Sequence, residues 1–164
     1  MKKHTISVLV ENKFGVLARI AGLFSARGFN IDSLAVAETE DPTISRMTIV
    51  LRADDRLLEQ VKKQLNKLID VIKVQDFTRQ ESIGREIVMV RLAVPEKDRA
   101  GLMKAIEPLK AEIIDAGPET VTIQKLGDSD EIDELFNTVR PYDIKEIVRS
   151  GAVAIAKEGG QKGK

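Results

Sequence analysis

The chain has 164 residues, and 26 Lys plus Arg balance 26 Asp plus Glu, so a nucleic-acid backbone would find no net field to hold it. The absence of cysteine excludes disulfides, cysteine-zinc sites and thiol chemistry, and a single histidine, His4, excludes a two-histidine metal site. With 43% hydrophobic and 32% charged residues the composition is that of a globular protein, and no apolar run reaches the ~18 residues of a membrane span.

Residues 5–10, β-branched and apolar, predict a first strand. Over 15–27 the period changes. Leu17, Ile20, Ala21 and Phe24 fall at i, i+3, i+4 and i+7, the spacing of a helix face. Gly28 follows, able to end that helix in a left-handed conformation. Residues 30–39 read as a second strand and Glu40–Thr43 as a turn around Pro42. Met47, Ile49 and Leu51 alternate with Arg46, Thr48 and Arg52, the pattern of a half-buried third strand. Asp54 or Asp55 caps a second helix with the stripe Leu58, Val61, Leu65 and Leu68, and 71–78 make a fourth strand.

The order β-α-β-β-α-β is that of a ferredoxin-like sandwich, and the second half repeats it. Residues 79–84 read as a polar linker, 86–94 as a strand ending at Pro95, and 97–109 as a helix. A hairpin over 112–126 turns at Gly117-Pro118. Asp128 with Glu131 forms a capping box for a helix with the stripe Ile132, Leu135, Phe136 and Val139. Residues 144–156 hold the last strand, and 159–164 read as a flexible tail with Lys162 and Lys164 at its end. The expected fold class is therefore α+β, two ferredoxin-like sandwiches in tandem over 1–78 and 85–158. Domains of ~60–80 residues bury only ~60% of their unfolded surface, so self-association into at least a homodimer is expected.

The segment with the most chemistry is Glu11-Asn12-Lys13-Phe14-Gly15-Val16-Leu17, between the first strand and the first helix. Gly15 lets bare backbone approach a guest, and the N–H groups of Val16 and Leu17 lack partners within a helix that starts there. With the positive end of the helix dipole they suit a carboxylate or phosphate. Asn12 offers an acceptor for an ammonium, and Asn30, Ile31, Val16 and Val36 are further candidates. On chemistry alone, an ordinary turn glycine and a turn asparagine explain the segment better than a ligand site does. It is no phosphate loop, because GxxxxGK[ST] and GxGxxG are both missing.

Glu11-Asn12-x-x-Gly15-Val16-Leu17-x-Arg19, followed by Gly28-Phe29-Asn30-Ile31-Asp32-Ser33-Leu34, resembles the start of the small regulatory subunits of acetohydroxyacid synthase (acetolactate synthase). Asp41 to Thr48, Glu59 to Leu68, Arg85-Glu86-Ile87 and Val148-Arg149-Ser150-Gly151 fit the same family in the same order. The resemblance implies that residues 1–78 are an ACT domain, which binds effectors and dimerises. It implies an effector site at Asn12, Gly15, Val16 and Leu17 of one protomer with Asn30 and Ile31 of another. It also implies a non-catalytic subunit that binds valine or another branched-chain amino acid and contacts a catalytic large subunit through 85–158. The expected cofactors of that partner are thiamine diphosphate, FAD and magnesium, with none in this chain.

The same strand-helix order builds RNA-binding modules, but strands 5–10 and 45–52 carry no aromatic residue to stack a base. An enzyme would need a nucleophile and base, for which one histidine and no cysteine are poor material. An amino-acid sensor for a different biosynthetic enzyme is the nearer alternative. The acidic group at 128–134 reads as a solvated helix cap rather than a metal site, and His4 as a surface residue. Glu11 and Lys13 interrupt any leader-like apolar stretch after Lys2-Lys3, so the expected address is the cytoplasm, away from membranes.

Overall fold

A computed structural model describes residues 2–78 and 80–161, the last three as backbone only. Its chain divides into two compact units. The first runs to Ile83 and resumes at Ala152, and the second is Gly84–Gly151.

In the first unit, β1 (Lys2–Glu11), α1 (Val16–Ser25), β2 (Ile31–Glu38), β3 (Ile44–Ala53), α2 (Asp55–Leu65) and β4 (Val71–Asp76) follow the expected order. The strands form one antiparallel sheet, β2-β3-β1-β4. Ile6, Val8 and Val10 of β1 and Met47, Ile49 and Leu51 of β3 meet Ile20 and Phe24 of α1 and Leu58, Val61 and Leu65 of α2 in the core. Asp54 is the cap of α2, accepting from the Leu57 N–H at 2.7 Å. Helix α1 is rotated from its expected face. Val16, Ile20 and Phe24 are buried, whereas Leu17 is 43% exposed and Ala21 is exposed. The left-handed Gly28 (φ 68°) lies three residues past the helix end, and Phe29 N–H returns to the Phe24 carbonyl.

The second unit contains α3 (Arg99–Ile106), β6 (Glu112–Ala116), β7 (Thr120–Gly127), α4 (Ser129–Val139) and β8 (Asp143–Arg149), with β5 (Gln80–Ala93) as its first strand. Its path β6-β7-β5-β8 has the same order as the first sheet. Val88, Val90 and Leu92 pack on Leu102, Ile106, Ile132, Leu135 and Val139. Both units are thus ferredoxin-like α+β sandwiches. The Asp128–Glu131 capping box is present, so part of the acidic group serves the start of α4. Among the described residues no three or more Asp, Glu or His stand where they could hold a metal ion. No described helix is long and apolar enough to cross a membrane.

Four further expectations differ from the structure. Residues 80–84 are not a loose linker; they open the 14-residue strand β5, which passes from one unit into the next. Arg79 lies outside the described residues. The last strand is two strands, β8 and β9 (Val153–Gln161), parted at Gly151 with φ 75°. Strand β9 pairs with β5 and groups with the first compact unit, and 159–161 continue a strand rather than a tail. Residues 162–164 lie outside the described residues. Polar residues hide the start of β5 and the end of β9, because their partners lie about 70 residues away rather than nearby.

Strand β9 also explains the third correction. β3 is buried on both faces, with Thr48 and Val50 at 3% and 1% exposure, since β9 lies over the side of the sheet away from the helices. The fourth concerns His4, which is buried. One ring nitrogen is 2.8 Å from the Thr78 hydroxyl and the other 3.0 Å from the Ala53 carbonyl.

Candidate functional site

The turn from β1 to α1 is held by backbone bonds to other segments. Glu11 N–H donates to the Asp70 carbonyl and Asn12 N–H to the Thr43 carbonyl. Gly15 sits at φ 82°, ψ −6°, a left-handed conformation costly for any residue with a side chain. It opens α1 with no side-chain cap and no acidic residue in the first turn, so the positive end of the helix is not neutralised locally. A Cβ at Gly15 would stand 3.1 Å from Arg19 Nη1. That guanidinium is fixed by Asp70, whose Oδ2 accepts from Arg19 Nε at 3.0 Å and Nη2 at 2.6 Å. A cation and an uncapped helix start therefore converge at one bare stretch of backbone, which suits a carboxylate.

Asn12 stands beside it with its donors already used. Its Nδ2 donates to Glu38 Oε1 at 3.1 Å and to the Pro42 carbonyl at 2.9 Å. The capacity left is Oδ1, an acceptor suited to an ammonium. The neighbouring turn is built around Asp41, which accepts from the Thr43 hydroxyl and N–H. Those two bonds hold the Asp41 carboxyl below its usual range.

The other expected site residues divide. Leu17 is half-exposed beside the loop, but the Val16 side chain is in the core, and its N–H, expected to lack a partner, donates to the Lys13 carbonyl at 3.3 Å. Asn30 and Ile31 lie elsewhere. Ile31 pairs with Leu51, whereas Glu11 pairs with Ile44, seven residues along the same strand. At ~3.3 Å per residue the two groups are about 23 Å apart in one chain. Sequence reasoning missed Glu38 and the position of Arg19. The spacing from Gly15 to Arg19 is one helical turn, a signal in plain view, but Asp70 and Glu38 are joined to the loop only by sheet pairing.

Comparison with known proteins meets this geometry. A family model for the acetolactate synthase (AHAS) small subunit-like ACT domain matches residues 6–73, and one for the small subunit of acetolactate synthase matches 85–158. The chain is 46% identical over 155 residues to a probable acetolactate synthase small subunit of Methanothermobacter thermautotrophicus, covering 94% of this chain and 92% of that one. It is 47% identical to the Archaeoglobus fulgidus protein described in the same words, covering 94% and 97%. The crystal structure of the acetolactate synthase small subunit from Thermotoga maritima superposes with a TM-score of 0.86 at 32% identity, covering 96% of this chain and 99% of that one. With an ACT domain first and the family's own second domain after it, the chain belongs to the acetolactate synthase small-subunit family, the regulatory subunits of that enzyme.

Proposed function

We propose that this chain activates the catalytic large subunit of acetohydroxyacid synthase in the cytoplasm and makes it subject to feedback inhibition by valine. The chemistry of thiamine diphosphate, FAD and magnesium belongs in this reading to the large subunit, which the second domain contacts. The observation that carries the reading is the separation of the two half-sites on an edge strand. β2 is the outer strand of its sheet, with Asn30–Ile31 at one end and Glu38, bonded to Asn12, at the other. Two copies that pair β2 with β2 about a two-fold axis run antiparallel. Asn30 and Ile31 of the second copy then reach the Asn12 and Gly15 end of the first, and the site closes only in the homodimer.

Valine fits that seam. Its carboxylate goes to the helix start and Arg19, its ammonium to Asn12 Oδ1, and its isopropyl group between Leu17 and Ile31. Burying the isopropyl group contributes about 1.5–3 kcal/mol and the helix end about 0.3–2 kcal/mol. Valine inhibits because it binds one packing of the ACT dimer better than another. A coupling of about 1–3 kcal/mol shifts catalytic states 5- to 150-fold. The test is calorimetric titration of the isolated protein with valine, leucine and isoleucine, alongside Gly15→Asp. That substitution puts an anion and a strained side chain where the ligand carboxylate goes. We expect it to abolish valine inhibition while stimulation of the large subunit persists. A Gly15→Asp enzyme as valine-sensitive as the parent overturns the site.

A further inference from the structure

We propose a second small-molecule site on each protomer, a cavity for a short aliphatic carboxylate between the outward face of the ACT sheet and β9. The cavity holds about 370 Å³. Its apolar surfaces are small to medium: Ala35, Val36 and Ala37 from β2, Val153 and Ala154 from β9. Register puts Ala35 opposite Thr48 and Ala37 opposite Arg46, on the side of the sheet away from the helices. This face is distinct from the turn at Gly15.

The polar lining, Arg46, Thr48, Thr39, Glu38 and Glu40, gives the cavity its chemistry. Arg46 makes no ion pair among the described residues, and its Nη1 donates at 3.0 Å to the hydroxyl of Ser7, which is 1% exposed. A buried hydroxyl thus anchors one arm of the guanidinium, leaving the rest of the fork to donate to a carboxylate in the planar geometry arginine favours. Thr48 adds a hydroxyl on the same wall. A branched body of three or four carbons matches the alanine-lined surface, which longer side chains would have filled. Glu40, another lining residue, also makes no ion pair among the described residues, so a ligand with an ammonium group is accommodated as well as one without. Glu38 borders the cavity and also holds Asn12, which joins the two sites through one carboxylate.

The experiment uses the full chain carrying Gly15→Asp, which silences the first site and keeps failure of that assignment separate. Amide resonances of Ala35, Ala37 and Thr48 are followed by NMR during titration with 3-methylbutanoate and, separately, with valine. We expect saturable shifts at these amides, and Arg46→Gln to weaken the binding about ten- to a hundredfold. Arg46→Lys, which keeps the charge and loses the fork, should also bind more weakly than the parent. Arg46 is exposed, so neither variant disturbs the core, and unchanged circular dichroism verifies the fold. Shifts with both probes identify the carboxylate and branched body as sufficient. Shifts with valine alone, lost in Glu40→Gln, identify an amino acid. If neither probe shifts these amides, or if Arg46→Gln and Arg46→Lys bind as the parent does, the site does not exist.

Discussion

His4 has a structural role that its place near the N-terminus conceals. Its two ring nitrogens reach Thr78, just past β4, and Ala53, at the end of β3, so one side chain ties three segments. His4→Ala leaves the Ala53 carbonyl without this partner, and an unmade buried bond costs about 1–3 kcal/mol. The urea midpoint of the variant should fall accordingly; an unchanged midpoint refutes the role. Asp76 makes a similar tie. Burial pushes its carboxyl upward, but the Thr78 hydroxyl and N–H and the Lys62 ammonium outweigh it and hold the group below its usual range. A carboxyl held below its unfolded value adds stability above that value and loses it as pH falls through the folded one. Stability should therefore drop as the pH falls below about 4, and Asp76→Asn should flatten that drop in denaturation curves measured across pH.

At the scale of elements, β9 is the piece whose removal is most informative. The side of the ACT sheet that in a bare sandwich faces water carries Ser7, Thr48 and Val50, all nearly inaccessible here. Ala152 N–H donates to Ser33 Oγ at 3.2 Å, and Lys157 pairs with Glu81, which pins the returning chain to β2 and β5. A chain ended at Gly151 re-exposes Val50 and its neighbours, at about 1.5–3 kcal/mol for each large apolar side chain returned to water. We expect faster amide exchange in β1 and β3 of that truncation than in β7, which belongs to the other unit; equal acceleration in all three argues for general unfolding instead. The pair Arg149–Glu86, bidentate at 2.6 and 2.8 Å, performs the corresponding task inside the second sheet, joining β8 to β5. The polar residues 79–84 read as a linker in isolation, because charges such as Glu81 face partners that arrive from the end of the chain.

For the molecule as a whole, the proposed homodimer forms along the β2 edge. An uncovered edge strand invites pairing with another chain, and here the proposed ligand lies across it. Sedimentation equilibrium should give about twice the 18.2 kDa chain mass, with valine strengthening the association because it binds only the paired form. A species that stays monomeric with saturating valine contradicts both the dimer and the seam.

The two βαββαβ repeats, the Asp54 and Asp128 caps and the loop around Asn12 and Gly15 were legible without coordinates. Each is written by neighbours within a turn or two of helix or by the alternation of one strand, and local sterics and capping chemistry settle such features before the chain collapses. Tertiary structure alone decided the rest. It turned α1 so that Val16 points inward, buried His4, drew Arg19 to Asp70 and Glu38 to Asn12, and brought β9 back across the first sheet. Those outcomes depend on pairings between residues 26 to about 120 positions apart; local periodicity shows that a segment has a buried face, but not which distant segment covers it.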